Sequence, residues 1–311
     1  MFDINKRQRQ VQKSLLNDEL EVLKELERAY EEALKDIDKF LLELLGRKDT
    51  ENLQSIIYQI KYQKHIRNEV STYLEILREK NYNTIDEYLQ NCYQNAHIGT
   101  LFDLQGQGVP LMIPLDQEQM ISSITLNTKL SAPLYNALGY DLDVLKVDVT
   151  RELSRGIAQS LPYKEIARNL KNATGLSYNK CARIVKTEGH RVSQESAYNT
   201  QLKAKDRGAD IKKQWDSTLD GRTRSSHRKL DGEIRELEEP FSNGLMYPSD
   251  PDGEASEVIN CRCALLQRAS WNLTDGEFTK MARIDGRNEL QHFESVDDYN
   301  KFKEAFWGVK Y

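Results

Sequence analysis

The sequence predicts an α+β protein, mainly α, with long N-terminal helices and a helical body followed by a small β-containing module. Three observations carry that class. Residues 1–98 hold one glycine, Gly46, and no proline, so little interrupts helix there. Apolar residues in that third recur at spacings of three and four, the period of an amphipathic helix. From about Ile211 the texture turns to short apolar or alternating runs (IKKQW, EIREL, VINCRCALL), separated by Asp-Gly, Asn-Gly and proline-containing turns.

Taken in order, Leu16, Leu23, Leu26, Tyr30, Ala33, Ile37, Phe40 and Leu44 form the buried stripe of a first helix that stops at Gly46-Arg47-Lys48. A second helix fits 51–80, with Ile57, Ile60, Val70, Tyr73 and Leu77 on one face. A third is expected at Thr84, where Thr84 and Glu87 have the spacing of a capping box. These helices suit a partner-binding arm and a plain bundle equally well. Gly99, Gly106 and Gly108, followed by Pro110 and Pro114, predict that helix breaks into an irregular connector over 98–120. It is no phosphate loop, because no Lys-Ser/Thr follows the glycines. Helices are then expected over 116–127, 131–138, 142–159, 162–172 and 177–205. After 268 one helix is expected, starting at Ser295 and ending in aromatic residues. The predicted organisation is a long-helix arm or hairpin at 1–97, a helical body with its connector at 98–208, the β-containing module at 209–268 and a C-terminal appendage at 269–311.

Composition narrows the function classes. Of 311 residues 30% are charged and the mean hydropathy is −0.70. No run approaches the ~18 apolar residues of a membrane span. The N-terminus lacks the apolar core of a secretion signal, so the expected location is the cytosol, without membrane contact. Four cysteines, Cys92, Cys181, Cys261 and Cys263, are too few in such a chain for a disulfide framework; free thiols or metal ligands remain. With a net charge of −5, any nucleic-acid binding has to come from a local patch.

The densest cluster of chemically distinctive residues spans 215–263. Trp215, Asp216, Asp220, Arg222, Thr223, Arg224 and His227 open it; Asn260, Cys261, Arg262 and Cys263 close it. Three readings stay open. In the first, Cys261 and Cys263 project from one face of an extended strand and, with His227 and an aspartate (Asp216 or Asp220), hold one structural zinc. In the second there is no metal: the thiols are small buried hydrophobes, and Asp216, Arg222 and Arg224 brace turns at Asp220-Gly221 and Asp231-Gly232. In the third a cysteine and His227 act as nucleophile and base, although neither a nucleophile elbow nor an oxyanion loop accompanies them.

Basic residues crowd the same region. Between 203 and 229 nine positive residues face four negative ones, and Lys203, Lys205, Lys212, Lys213, Arg228 and Lys229 are the candidates for sequence-independent contact with double-stranded DNA. The alternative is a solvated helix end and an ion-paired turn.

The order and spacing of Trp215-Asp216, Asp220, Arg222-Thr223-Arg224, His227, Leu230-Asp231-Gly232, Phe241, Gly244, Pro248 and Ile259-Asn260-Cys261-Arg262-Cys263 resemble the phage Mu F-like head morphogenesis family, minor head proteins of tailed double-stranded DNA bacteriophages. Ala182–Glu188 and Arg191 look like the helix preceding that motif, with Lys186 where arginine is commoner, and IGTLFDLQGQG fits the connector upstream. The resemblance covers about 80–268. It implies a structural, non-enzymatic minor capsid protein inside the virion. Such a protein associates with the portal protein, with capsid or scaffold protein as further partners, and influences DNA packaging or ejection. A head-borne ADP-ribosyltransferase is the enzymatic alternative it leaves. No clear arginine, serine and Glu-x-Glu set supports that alternative, for which Glu188, Arg222, His227 or a cysteine would be the residues to test.

Overall fold

The structure, a computed structural model, describes residues 5–46, 60–124, 131–159, 161–273 and 277–308. Eight helices and five strands are assigned among them. The long helices come first: α1 (Lys6–Leu45), α2 (Ile60–Gly106), α3 (Gln117–Ile124), α4 (Ser131–Ala158) and α5 (Tyr163–Asp206). The β-containing part follows: β1 (Ile211–Asp216), α6 (Ser225–Leu230), β2 (Ile234–Arg235), α7 (Ala255–Val258) and β3 (Ala264–Ala269). A hairpin of β4 (Phe278–Ile284) and β5 (Arg287–Phe293) then leads into α8 (Val296–Trp307). The mainly α class with a small antiparallel module is therefore as the sequence predicts. The chain divides into two compact units, one of Glu19–Tyr88 and Ser131–Lys186, the other of Met1–Asp18, Leu89–Leu130 and Thr187–Tyr311.

The first unit is helical. Leu23, Leu26, Tyr30, Ala33, Ile37, Phe40 and Leu44 of α1 are buried, the stripe its spacing requires, with Val22 and Leu41 beside them; Leu16, expected in the same stripe, is 59% exposed. Specific contacts join the four helices. Phe40 of α1 meets Tyr73 of α2, and Tyr30 of α1 meets Tyr178 of α5 edge-on with ring centroids 5.8 Å apart. Arg78 of α2 pairs with Asp143 of α4 at 2.5 Å. Gly156 of α4 lies against Ile166 of α5, where an added Cβ would meet Cγ1 at 2.6 Å.

Several expected helix ends do not exist. Helix α2 runs unbroken through Thr84, whose hydroxyl lies 3.3 Å from Glu25 Oε1 instead of capping a new helix. Burial explains it: Ile85, Tyr88, Leu89 and Cys92 prolong the buried stripe, and tertiary packing outweighs a local capping signal. Helix α2 also passes Gly99 and reaches Gly106, well inside the expected connector. Gly139 and Gly175 are likewise inside α4 and α5, merging two expected pairs of helices into single ones. Ile57, Arg47 and Lys48 of the expected first helices lie outside the described residues, as do 125–127.

In the second unit Gly99 and Gly106 mark close approach. An added Cβ at Gly99 would sit 2.4 Å from Val11 Cγ1 of α1, and one at Gly106 would sit 2.5 Å from Arg7 Cδ. The terminator is Gly108 at φ 84°, reached by bonds from Gly108 N to Gln105 O and from Val109 N to Leu104 O. Helix α5 ends the same way: Gly208 at φ 89° binds Lys205 O, and Ala209 binds Ala204 O. Both are Schellman caps, in which the residue after the glycine packs back on the helix. Leu104, Val109, Ala204 and Ala209 share one core cluster with Ile211, Leu237 and Ala269, so the two caps aim the chain at the sheet.

That sheet is antiparallel in the order β2-β1-β3, with Trp215 opposite Leu265 and Asp216 opposite Ala264. Strand β1 alternates buried and half-buried residues, whereas every residue of β3 is buried. Gln194 of α5 accepts from Leu265 N at 2.7 Å and ties the helix to β3. The β4–β5 hairpin was not expected from the sequence. Its signal was nevertheless present: Asp285 at φ 49° and Gly286 at φ 80° make an Asp-Gly turn between alternating runs. Ser295 caps α8 as expected, its Oγ accepting from Asp298 N at 3.1 Å.

Candidate functional site

The motif residues converge around the end of β1. Trp215 is fully buried, with its ring edge-on to His227 and Phe241 at 5.2 Å each and its indole N–H donating to Ser217 Oγ at 3.1 Å. Ser217 in turn donates to His227 O at 2.7 Å, and its own N–H reaches Asp231 Oδ1 at 2.7 Å. Gly232, at φ 89°, returns its N–H to Trp215 O at 2.8 Å. The indole thus binds the strand, the turn that follows it and α6 into one core with Leu230, Phe241, Leu245, Tyr247 and Leu265.

Asp220 organises the turn itself. It accepts from the backbone N–H groups of Arg222 and Thr223 at 2.9 and 3.0 Å and from both terminal nitrogens of Arg262 at 2.5 and 2.9 Å. Burial works against its ionised form, but Arg262 and the turn N–H groups outweigh it and lower the carboxyl to about 2. Arg224 reaches across to the carbonyls of Glu257 and Ile259, holding the segment before the cysteines. Asn260 takes the left-handed conformation at φ 57°, reversing the chain into Cys261. The side chain of Arg222, by contrast, is 75% exposed and 3.8 Å from Asp220.

His227, Cys261 and Cys263 come together. All three are buried, and their ligand atoms lie within 4.8 Å of one another. His227 Nδ1 is 3.3 Å from Cys263 Sγ and 3.7 Å from Cys261 Sγ, while Nε2 is 2.8 Å from Glu257 Oε2. The hydrogen bond from Cys263 lowers the Cys261 thiol to about 7, and burial holds the Cys263 thiol up. Neither aspartate weighed as a fourth ligand belongs to this group: Asp216 pairs with Lys280 at 2.8 Å and Asp220 with Arg262.

The basic residues acquire partners that their local sequence does not show. Lys203 pairs with Asp116 at 2.9 Å, Lys205 with Glu238 at 2.6 Å and Lys212 with Glu236 at 2.7 Å. Lys213 is buried and donates to Leu237 O and Met246 O at 3.0 and 2.9 Å. Arg228 donates to Thr223 O and lies over the Trp307 ring, whereas Lys229 is exposed. Upstream on α5, buried Arg191 bonds Glu188 at 3.0 Å, Glu195 at 2.7 Å and Ser123 O at 2.8 Å.

Sequence reasoning missed Glu257, which orients His227, and Ser249, which is buried at φ 64° with its hydroxyl directed at the Cys261 thiol. It also missed the depth of Asp231. That fully buried carboxylate meets Lys280 at 2.7 Å, Tyr299 OH at 2.5 Å and Lys303 at 3.6 Å, and so anchors β4 and α8 to the module. Asp231 stands in the Leu230-Asp231-Gly232 motif without any local sign of its lysine partners, and Glu257 and Ser249 stand in no motif; only the fold brings these contacts in.

A family model described as phage Mu protein F like protein matches residues 147–266, which contain this site. The chain is 27% identical over 306 residues to NAD(+)--arginine ADP-ribosyltransferase EFV of Enterococcus faecalis (strain ATCC 700802 / V583), a match covering 96% of the chain but 61% of that protein. It is 25% identical over 318 residues to minor head protein GP7 of Bacillus phage SPP1, a match covering 96% of the chain and 98% of that protein. No solved structure matches. Among the described residues no helix is long and apolar enough to cross a membrane.

Proposed function

We propose, for a chain that belongs to the phage Mu F-like family of minor head proteins, a structural role at the portal vertex of the assembling head. The observation that carries this reading is the near end-to-end similarity to a minor head protein, 96% of this chain against 98% of GP7. The site's chemistry agrees with it. Trp215, Asp220, Thr223, Arg224 and Arg262 are committed to contacts inside the module, as expected of a rigid adaptor. The protein is incorporated into the virion, meets the portal protein there and acts on DNA packaging or ejection through that contact. Capsid or scaffold protein is the further partner class. Co-sedimentation with purified portal oligomers tests the reading; the expected result is association that survives moderate salt, and its absence across all salt concentrations would overturn it.

Direct contact with packaged DNA belongs to the same reading but draws on few cations. Lys203, Lys205 and Lys212 each sit beside a carboxylate, so the expected dependence of DNA affinity on salt is shallow. A steep dependence, weakened by Lys212→Glu, would instead favour a dedicated DNA-binding module.

The transferase-named relative motivates an enzymatic reading, yet the rest of that longer protein lies outside the match. Glu188 and Arg191 are buried against each other, and His227 faces Glu257 and two thiols. The expectation is no transfer of ADP-ribose from NAD to arginine-rich acceptors. Turnover abolished by Glu188→Gln or Arg222→Ala would reverse it.

A further inference from the structure

We infer that His227, Cys261 and Cys263 form a buried zinc site that clamps the Ile259–Cys263 segment to α6. Zinc with Zn–S of about 2.3 Å and Zn–N of about 2.0–2.1 Å in tetrahedral array separates a sulfur from a nitrogen ligand by about 3.6 Å. The two Nδ1–Sγ distances, 3.3 and 3.7 Å, bracket that value. A van der Waals pairing of ring and thiols does not require both sulfurs to face one nitrogen.

A second observation is independent of the three ligands. Glu257 Oε2 is 2.8 Å from His227 Nε2, an acceptor for the Nε2 proton, so that in the neutral imidazole Nδ1 is the nitrogen left to face the thiols as a ligand. A carboxylate behind the non-ligating nitrogen is the usual support of a zinc-bound imidazole, fixing tautomer and ring orientation together. A third observation concerns the remaining position. Ser249 is 1% exposed and its hydroxyl is directed at the Cys261 thiol, with no other hydrogen-bond partner. That oxygen stands next to the position that three protein ligands leave open on a tetrahedral zinc.

The local backbone is built around the same point. Asn260 and Ser249 both take left-handed φ values, 57° and 64°, on either side of α7, and such conformations persist where surrounding interactions hold them. Helix α7 has four residues and β2 has two, so this part of the module contains little regular structure of its own. A metal joining α6 to the segment after α7 supplies the cross-link that short elements lack.

The test is the metal content of the full chain, purified reduced from zinc-supplemented cells without chelator. Elemental analysis is expected to find one zinc per chain. Cobalt titration of the stripped protein is expected to give a thiolate-to-cobalt charge-transfer band and tetrahedral d–d absorption. His227→Ala, Cys261→Ser and Cys263→Ser should each lose the metal, while Cys92→Ser and Cys181→Ser keep it. Glu257→Gln should keep the stoichiometry at saturating zinc but lower affinity about 10- to 100-fold. Should the ligand variants fail to fold, wild-type zinc content and the cobalt spectrum decide. Zinc far below one per chain together with no thiolate–cobalt band overturns the site, as does full zinc retention by folded Cys261→Ser.

Discussion

Arg262 grips Asp220 with both ends of its guanidinium, at 2.5 and 2.9 Å, from a position between two cysteines whose side chains turn the other way. The alternation of an extended segment explains the arrangement. Cys261 and Cys263 face the core while Arg262, between them, reaches the Asp220 turn. One short segment thereby holds α6 on one face and the turn that precedes α6 on the other.

Removing that fork should cost stability without changing the fold. In Arg262→Ala the Asp220 carboxylate keeps its turn N–H partners but loses its counter-ion, at a cost of roughly 1–3 kcal/mol. Arg262→Lys should recover less than half, since an ammonium cannot make the two parallel bonds. Urea unfolding midpoints of the three proteins, compared at equal m-value, check both statements.

The same pair carries a pH signature. Asp220 is lowered in the folded chain from 3.8 to about 2, so its contribution is fully present above the unfolded value and is lost as pH falls through about 2. Because the Arg262 side chain is 39% exposed and solvent screens the pair, the contribution is about 1 kcal/mol. Wild type minus Asp220→Asn stability, measured from pH 6 down to the lowest pH at which both still fold, should shrink over that interval; a difference constant down to pH 2.5 would contradict it.

Gly99 and Gly106 should respond unequally to alanine. At Gly99 the new Cβ meets the branched Val11 side chain 2.4 Å away, which has no free path to move, so Gly99→Ala should cost roughly 1–3 kcal/mol as overpacking does. At Gly106 the obstacle is the arginine stem of Arg7, which can move only by giving up its hydrogen bond to Phe102 O and its place over the Phe102 ring. Gly106→Ala should therefore cost less than Gly99→Ala, the lost Arg7 contacts being exposed and partly offset by alanine's better helix propensity. Thermal melts of the two variants give the comparison, and Val11→Ala combined with Gly99→Ala should restore most of the loss.

Asp231 should prove the most sensitive charged residue of the module. Its carboxylate is buried with Lys280 and Lys303 beside it and Tyr299 donating to it. Asp231→Ala leaves two largely buried ammonium groups with less counter-charge, a change that typically costs roughly 3–5 kcal/mol. Limited proteolysis should show the effect first within 278–308, because β4 and α8 carry those lysines.

Local patterning along the chain is enough to set the class of the protein and the existence of its module. Helical periodicity in α1, the capping serine at 295 and the ordered run from Trp215 to Cys263 are local properties of the chain, and each is found where the sequence puts it. The lengths of the helices were decided elsewhere. Thr84, Gly99, Gly139 and Gly175 look like ends, yet buried apolar stripes continue across them, and packing free energy exceeds the roughly 1 kcal/mol that a single glycine costs a helix. The partners of charged residues were equally illegible. Glu257 is 30 residues from His227, Lys280 is 49 from Asp231 and Glu238 is 33 from Lys205, so the electrostatics of the site depend on separations that only folding closes. A motif tells which residues matter together; the tertiary structure tells what each one touches, because ion pairs and ligand geometry act over a few ångströms and sequence distance carries no such information.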